Sequence, residues 1–266
     1  MADELRARYL RQQAELGGDE LWRAAPPAEP PVAAATGADR GAAPDAPDAP
    51  PDAAPPTRRG RPMPAPYPDG LSVTAPAAGP ELDALDSLEA VAEVIRSRHC
   101  CGLCATRTNA VPGEGNPRAR LMLVGEGPGQ NEDQTGRPFV GAAGQLLDTI
   151  LESIHLPRPQ VFIANVVKCR PPGNRKPLPD EMAACLPYLW RQVALVRPAV
   201  LLALGATAAE ALLGAKRPLG ELRGRVHRFG GIPLIVTYHP AALLRNPNWK
   251  GPTWDDVRIA RQLVGD

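Results

Sequence analysis

Apolar positions along this chain follow two rhythms. Four short runs are almost wholly apolar and bounded by Gly, Pro or charge: RLMLVG at 120–125, VFIANVV at 161–167, AVLLALG at 199–205 and PLIVTY at 233–238. Runs of this length, apolar at nearly every position, predict strands covered on both faces. Between them the spacing widens to that of a helix, at 142–154, 180–196 and 206–213, with a last helix predicted at 254–264. Strand–helix alternation predicts an α/β fold: a three-layer α/β/α sandwich around a central, mainly parallel four-stranded sheet. RVHRFGGIPLIV adds a candidate hairpin through Gly230 and Gly231. Ahead of the first strand, Leu82, Leu85, Leu88, Val91, Val94 and Ile95 recur at helical spacing and open the globular domain, 81–266.

Upstream the pattern stops. Residues 24–80 are mostly Ala, Pro, Asp and Gly, and 16 of the chain's 33 prolines lie there. Too few large apolar groups remain to offset the entropy of ordering, so this stretch is expected to be a disordered linker. Residues 1–23 carry Leu5, Leu10, Leu16, Leu21 and Trp22, and read either as a short docking helix or as a frayed tail. Net charge is +1, so a basic surface for a polyanion has to be local. No run approaches the roughly 20 apolar residues that cross a bilayer, and the N-terminus lacks a signal-peptide core. A soluble protein of the cell interior, without a membrane partner, is expected.

In parallel sheets ligands bind beyond the carboxyl ends of the strands. Those ends carry this chain's unusual residues. The first strand runs into Gly125, Glu126, Gly127, Pro128 and Gly129. No Gly-Lys-Ser/Thr follows, and the spacing is not that of a dinucleotide site. Glu126 in such a cleft is placed to orient or activate water. Asp133 is a second candidate for that task. Phe139, one of only three phenylalanines, lies in a Gly/Pro-rich loop, where its ring can stack on a planar base or seal the core. Asn165 interrupts an apolar strand, so its amide must find a backbone, water or ligand partner. One acceptor beside one donor matches N3–H and O4 of uracil, and cytosine presents the reverse. His239 follows the last strand and can donate to an oxygen gaining negative charge. Its position distinguishes it from His99, His155 and His227.

Five cysteines are present, an odd number that argues against a disulfide framework. Cys101 and Cys104 form Cys-x-x-Cys, and Cys169 and Cys185 stand alone. Four thiolates suit zinc or an iron–sulfur cluster, and spacing does not separate the two. Cys100 is left over and is an alternative to Cys101. Lys168, Arg170, Arg175, Lys176, Arg245 and Lys250 lie near the strand ends as candidate phosphate contacts.

Together these residues resemble the family 4 uracil-DNA glycosylases, which carry a [4Fe–4S] cluster. The resemblance spans residues 100–264 and rests on ordered blocks: the Cys-x-x-Cys, VPGEGNP at 111–117, VGEGPGQNEDQTGRPFVGAAGQLL at 124–147, NVVKCRPPGNRKPLPDE at 165–181, LGA at 204–206 and HPAALLRNP at 239–247. It implies a uracil-DNA glycosylase-like fold and a monofunctional enzyme of base excision repair that flips uracil out of DNA, releases it and leaves an abasic site. It implies a structural cluster held by Cys101, Cys104, Cys169 and Cys185. Gly125, Glu126 and Gly127 would line the uracil site, Phe139 would stack on the base, Asn165 would read its edge, and His239 would stabilise the O2 oxyanion. Leu243 matches a side chain that wedges into the duplex. Family 5 relatives lack a carboxylate where Glu126 stands, and a uracil-crosslinking relative has a reactive histidine that residues 213–220 lack. The implied partner is uracil-containing DNA, single- or double-stranded, bound by a monomer at a bacterial or archaeal nucleoid. The N-terminal segment would dock a repair or replication protein. The competing readings are a non-catalytic or polymerase-associated DNA-binding module of the same fold, and an electron carrier.

Overall fold

A computed structural model describes residues 67–265, and every structural statement below concerns those residues. The expected helix at 1–23 and most of the expected linker at 24–80 lie outside the described residues. Seven strands form one sheet: β1 (Asp69–Val73), β2 (Glu114–Gly115), β3 (Leu121–Gly125), β4 (Phe162–Asn165), β5 (Val200–Leu204), β6 (Val226–Phe229) and β7 (Ile232–Thr237). Their order is β1-β6-β7-β5-β3-β4-β2. The four strands predicted from the sequence are β3, β4, β5 and β7, the parallel centre of the sheet.

The expected count of four is therefore too low, because three further strands flank this centre, with β1 and β2 at the edges. β6 joins β7 antiparallel. Gly230 and Gly231, at φ of 56° and 82°, supply the positive angles a two-residue hairpin turn needs. β2 is only two residues long and runs antiparallel to β4. β1 pairs parallel to β6 and falls inside the stretch expected to be disordered. It is ordered because Leu71 and Val73 pack on the core, and the Leu71 N–H donates to Nδ1 of buried His227 at 2.9 Å. Two apolar residues among polar neighbours make too short a pattern to read in advance.

The helices are α1 (Pro80–Asp83), α2 (Leu88–Ser97), α3 (Gln130–Thr135), α4 (Ala142–Ser153), α5 (Pro179–Val196), α6 (Ala206–Leu213), α7 (Leu219–Leu222), α8 (Pro240–Arg245) and α9 (Lys250–Val264). The apolar period near residue 85 breaks into α1 and α2 because the Ser87 hydroxyl accepts from the Ala90 N–H at 3.2 Å and caps a new helix. Side chains alternate across the central strands. Met122, Val124, Ala164, Leu201, Ala203 and Val236 join α5 and α6 in one core. Leu121, Leu123, Ile163, Val200, Leu202 and Ile235 join α4 and α9 in the other. The result is the expected three layers. α2 packs through Val91 and Ile95 against Tyr188 of α5, and leads into the loop that carries Cys100, Cys101 and Cys104.

Candidate active site and cysteine cage

The parallel centre delivers its carboxyl ends to one edge: Gly125 ends β3, Asn165 ends β4, Leu204 ends β5, and His239 follows β7. Gly125 and Asn165 are register partners. A Cβ on Gly125 would lie 2.4 Å from Asn165 Oδ1 and 2.6 Å from Phe139 Cζ, so glycine leaves open the place where the amide and the ring meet. The Phe139 ring in turn stacks on His239, with centroids 5.4 Å apart and planes 29° from parallel. Gly125, Phe139, Asn165 and His239 thus converge. Gly127 is turned toward Val167, whose Cγ2 would lie 2.7 Å from a Cβ there. Glu126 is partly exposed, and its Oε2 accepts from the Thr207 hydroxyl of α6 at 2.5 Å.

Asn165 is 1% exposed, yet its Oδ1 finds no hydrogen-bond partner among the described residues. A buried acceptor left in this state costs about 1–3 kcal/mol. Such groups are rare in folded proteins and point to a missing ligand or water.

His239 caps α8: its Nδ1 accepts from the Ala241 N–H at 3.2 Å, which leaves the proton of the neutral ring on Nε2. It keeps some contact with solvent but lies deep among protein atoms. Burial first, then the Arg245 charge, push its pKa down to about 4, while Glu132 opposes them. The imidazole is therefore neutral at pH 7 and offers Nε2–H as a donor.

Phe139 has φ of 52°, a conformation that bulky residues rarely adopt. Two anchors hold it. Glu132 accepts from the Val140 and Gly141 N–H groups at 2.9 Å each and from the Gly129 N–H at 3.1 Å. The Arg158 guanidinium donates to the Phe139 carbonyl at 3.0 Å and to the Pro138 carbonyl. Arg158 is itself fixed by Glu114 and Asp148. Sequence reasoning assigned no role to Glu132, Arg158 or Thr207. Glu132 left a trace, since it stands three residues after the glycine that opens α3, where a carboxylate closes a capping box. Arg158 left none, because its partners lie 10 to 44 residues away.

Two expectations, for Asp133 and Lys168, are corrected. Asp133 is buried and its Oδ1 accepts from the Thr108 N–H at 2.9 Å, so it serves the loop beyond the cysteines and not the pocket. Leu243 is 1% exposed and packed in the core, whereas Leu244 is 50% exposed. Lys168 is 1% exposed, and its ammonium donates to the Asn165 carbonyl at 2.8 Å and to Gln192 Oε1 at 2.7 Å, out of reach of any phosphate. Burial lowers its pKa to about 7. Arg175 pairs with Glu181 at 2.6 Å, while Arg245 and Lys250 are exposed.

The four expected cysteines do gather, and Cys100 joins them. Sulfur–sulfur distances are 3.8 Å for Cys100–Cys104 and 3.7 Å for Cys104–Cys169. The thiols of Cys100, Cys101 and Cys104 all lie within 4.8 Å of one another. Cys185, on α5, donates to both Cys100 and Cys101, which lowers their pKa values to about 5 and about 7 and raises its own. Burial raises Cys169 to about 12 against the pull of Arg107, whose Nη1 donates to its sulfur at 3.2 Å. Buried thiols of this density cannot all ionise beside the few cationic side chains that line their cavity, Arg107 and Lys168 among them. A cation bound by thiolates is the partner their chemistry fits.

The fold is an α/β/α sandwich whose central strands bring an amide, a phenyl ring and an imidazole together at one edge of the sheet. A family model described as the uracil DNA glycosylase superfamily matches residues 112–259. A type-4 uracil-DNA glycosylase of Sulfurisphaera tokodaii is 46% identical over 189 residues, 68% of this chain and 86% of that protein. One from Pyrobaculum aerophilum is 46% identical over 180 residues, 65% of this chain and 92% of its own. One from Thermotoga maritima is 48% identical over 161 residues, 60% and 84% of the two chains. The chain belongs to the uracil-DNA glycosylase superfamily and, within it, to the type-4 family. No helix among the described residues is long and apolar enough to cross a membrane.

Proposed function

We propose that this protein removes uracil from DNA by hydrolysing its N-glycosidic bond, with Asn165 reading the base. The observation that carries the proposal is the buried, unpartnered Oδ1 of Asn165, set beside the Phe139 ring and against a glycine. In this reading Oδ1 accepts N3–H of the flipped base and the amide nitrogen donates to O4. Cytosine, with an acceptor at N3 and donors at N4, leaves both groups mismatched. Phe139 stacks on the base plane. As the C1′–N1 bond breaks, its electron pair leaves with the base and spreads onto O2. The neutral imidazole of His239 donates Nε2–H to that oxygen. Glu126, steadied by the Thr207 hydroxyl, orients the water whose oxygen bonds to C1′. The water's proton balances the anion, and free uracil and an abasic site result.

Cys104, Cys169 and Cys185, with Cys101 as the fourth ligand, would hold a [4Fe–4S] cluster. When bound, such a cluster ties the loop after α2 to the end of β4 and to α5, a structural service. Leu244, Arg245, Trp249 and Lys250 form an exposed rim beside His239 and supply an apolar tip and positive charge for DNA. Residues 1–23 are proposed as a docking segment on a linker that ends ahead of β1, and the enzyme as a monomer. The test is incubation with an oligonucleotide carrying one uracil, followed by alkali. Cleavage at the uracil, absent with cytosine at the same position, is expected. An intact strand with either base would overturn the assignment.

A further inference from the structure

Five thiols surround a cage that a four-ligand cluster would fill. Two of them differ from the rest. Cys104 and Cys169 are buried and in contact at 3.7 Å, and Cys185 is buried on α5, so these three are fixed by the core. Cys100 and Cys101 are exposed and half-buried. They are consecutive residues, and the backbone at Cys101 is extended, where neighbouring side chains ordinarily point to opposite sides. Here both thiols, with that of Cys104, lie within 4.8 Å of one another. Cys100 is also 3.8 Å from Cys104, and with Cys169 and Cys185 it lines a small cavity that Arg107, Lys168 and Tyr188 close. Cys101 is joined to Cys104 through the chain, its carbonyl accepting the Cys104 N–H at 3.1 Å. The claims differ: Cys100 lines the cavity with Cys169 and Cys185, whereas Cys101 stands in the Cys-x-x-Cys spacing with Cys104.

We propose that Cys100 and Cys101 share one ligand position, either thiol completing the set with Cys104, Cys169 and Cys185. This rests on the metal-cluster reading above. Exchange breaks one iron–sulfur bond and forms another, and the proton of the incoming thiol passes to the outgoing thiolate. No electron is gained or lost. The site would thereby survive loss or modification of either outer cysteine, which a four-cysteine cage would not.

The test uses the full chain and the variants Cys100→Ala, Cys101→Ala and the double variant. Iron and labile sulfide per chain are measured, with visible absorbance. Each single variant is expected to keep the iron of the unaltered protein, and the double variant to lose it. Loss of iron from either single variant overturns the proposal, because that residue is then a fixed ligand. Iron retained by the double variant overturns it as well. A second measurement does not depend on the variants folding: the native protein is alkylated and the labelled cysteines are mapped by mass. One label per chain, divided between Cys100 and Cys101, is expected, and a label confined to one of them sinks the idea. Absence of iron from the unaltered protein would instead refute the cluster reading itself.

Discussion

The pocket and the cysteine cage stand four residues apart on one chain segment, Asn165 to Cys169, yet they are built on opposite terms. The pocket keeps a buried amide oxygen without a partner. The cage gives each sulfur another sulfur, an N–H or a guanidinium. Unsatisfied polarity in the pocket is relieved when a ligand or water enters, so it favours binding at some expense of stability. Mutual contact in the cage ties three elements together. Between the two, the Lys168 ammonium holds the Asn165 carbonyl and Gln192, whose amide donates to the Pro112 carbonyl at 2.7 Å. The contrast assigns function to one region and folding to the other, and variants in each should separate the two quantities.

The largest effect is expected from the cage. Binding energy of a structural metal site is folding energy. Cys169→Ala should therefore lose the cluster and several kcal/mol of stability, lowering the melting temperature by roughly 10 °C or more. A folded, brown Cys169→Ala protein with an unchanged melting curve would remove Cys169 from the ligand set and blur the contrast.

His239→Ala should do the reverse. Loss of one preorganised donor typically lowers the rate about 100-fold or more. The lost cap on α8 costs only about 1 kcal/mol. The pH dependence sharpens this. With a folded pKa of about 4 against an ordinary 6.5, His239 stays neutral as pH falls from 7 to 5. Over that interval the unfolded chain takes up a proton that the folded one does not, so this residue makes stability fall with acidification from about 6.5 toward 4. Excision should lose nothing through His239 until the pH nears 4. Nuclear magnetic resonance of the ring is the check, and a midpoint near 6.5 would falsify the buried, neutral donor.

Asn165→Asp is smaller in rate and more telling in selectivity. The carboxylate keeps the acceptor and loses the donor, and it meets O4 with negative charge. A loss of about 2 kcal/mol, roughly 30-fold in excision, is expected, and the melting temperature should fall as well because a carboxylate replaces an amide that is 1% exposed. Unchanged rate and selectivity would take the edge-reading role away from Asn165.

What the sequence allowed to be read follows the same division. The central strands were legible because each is buried on both faces and apolar throughout, a pattern that needs no knowledge of the partner strand. Asn165 and His239 were legible as polar interruptions at strand ends. β1 was not, since its order depends on His227, which lies 156 residues from Leu71. Arg158, which shapes the Phe139 loop, was invisible for the same reason. Lys168 misled because a lysine is almost never fully buried unless it is paired. Only the carbonyl of Asn165 and the amide of Gln192 explain why this one is.

The smallest effect concerns α8, where one residue separates core from surface. Leu244 is half exposed on the rim, and Leu243 is packed inside. Unstacking costs a few kcal/mol in a duplex and least in a single strand. Leu244→Ala should therefore slow excision from double-stranded DNA several-fold and leave single-stranded substrate unaffected, with no change in stability. Leu243→Ala should instead cost about 2–5 kcal/mol of stability, as a cavity in the core does, and lower both activities only through unfolding. If Leu243→Ala were to impair duplex substrate alone, with its melting temperature intact, then α8 turns when DNA binds. The inner leucine, the position implied by the family resemblance, would be the wedge after all.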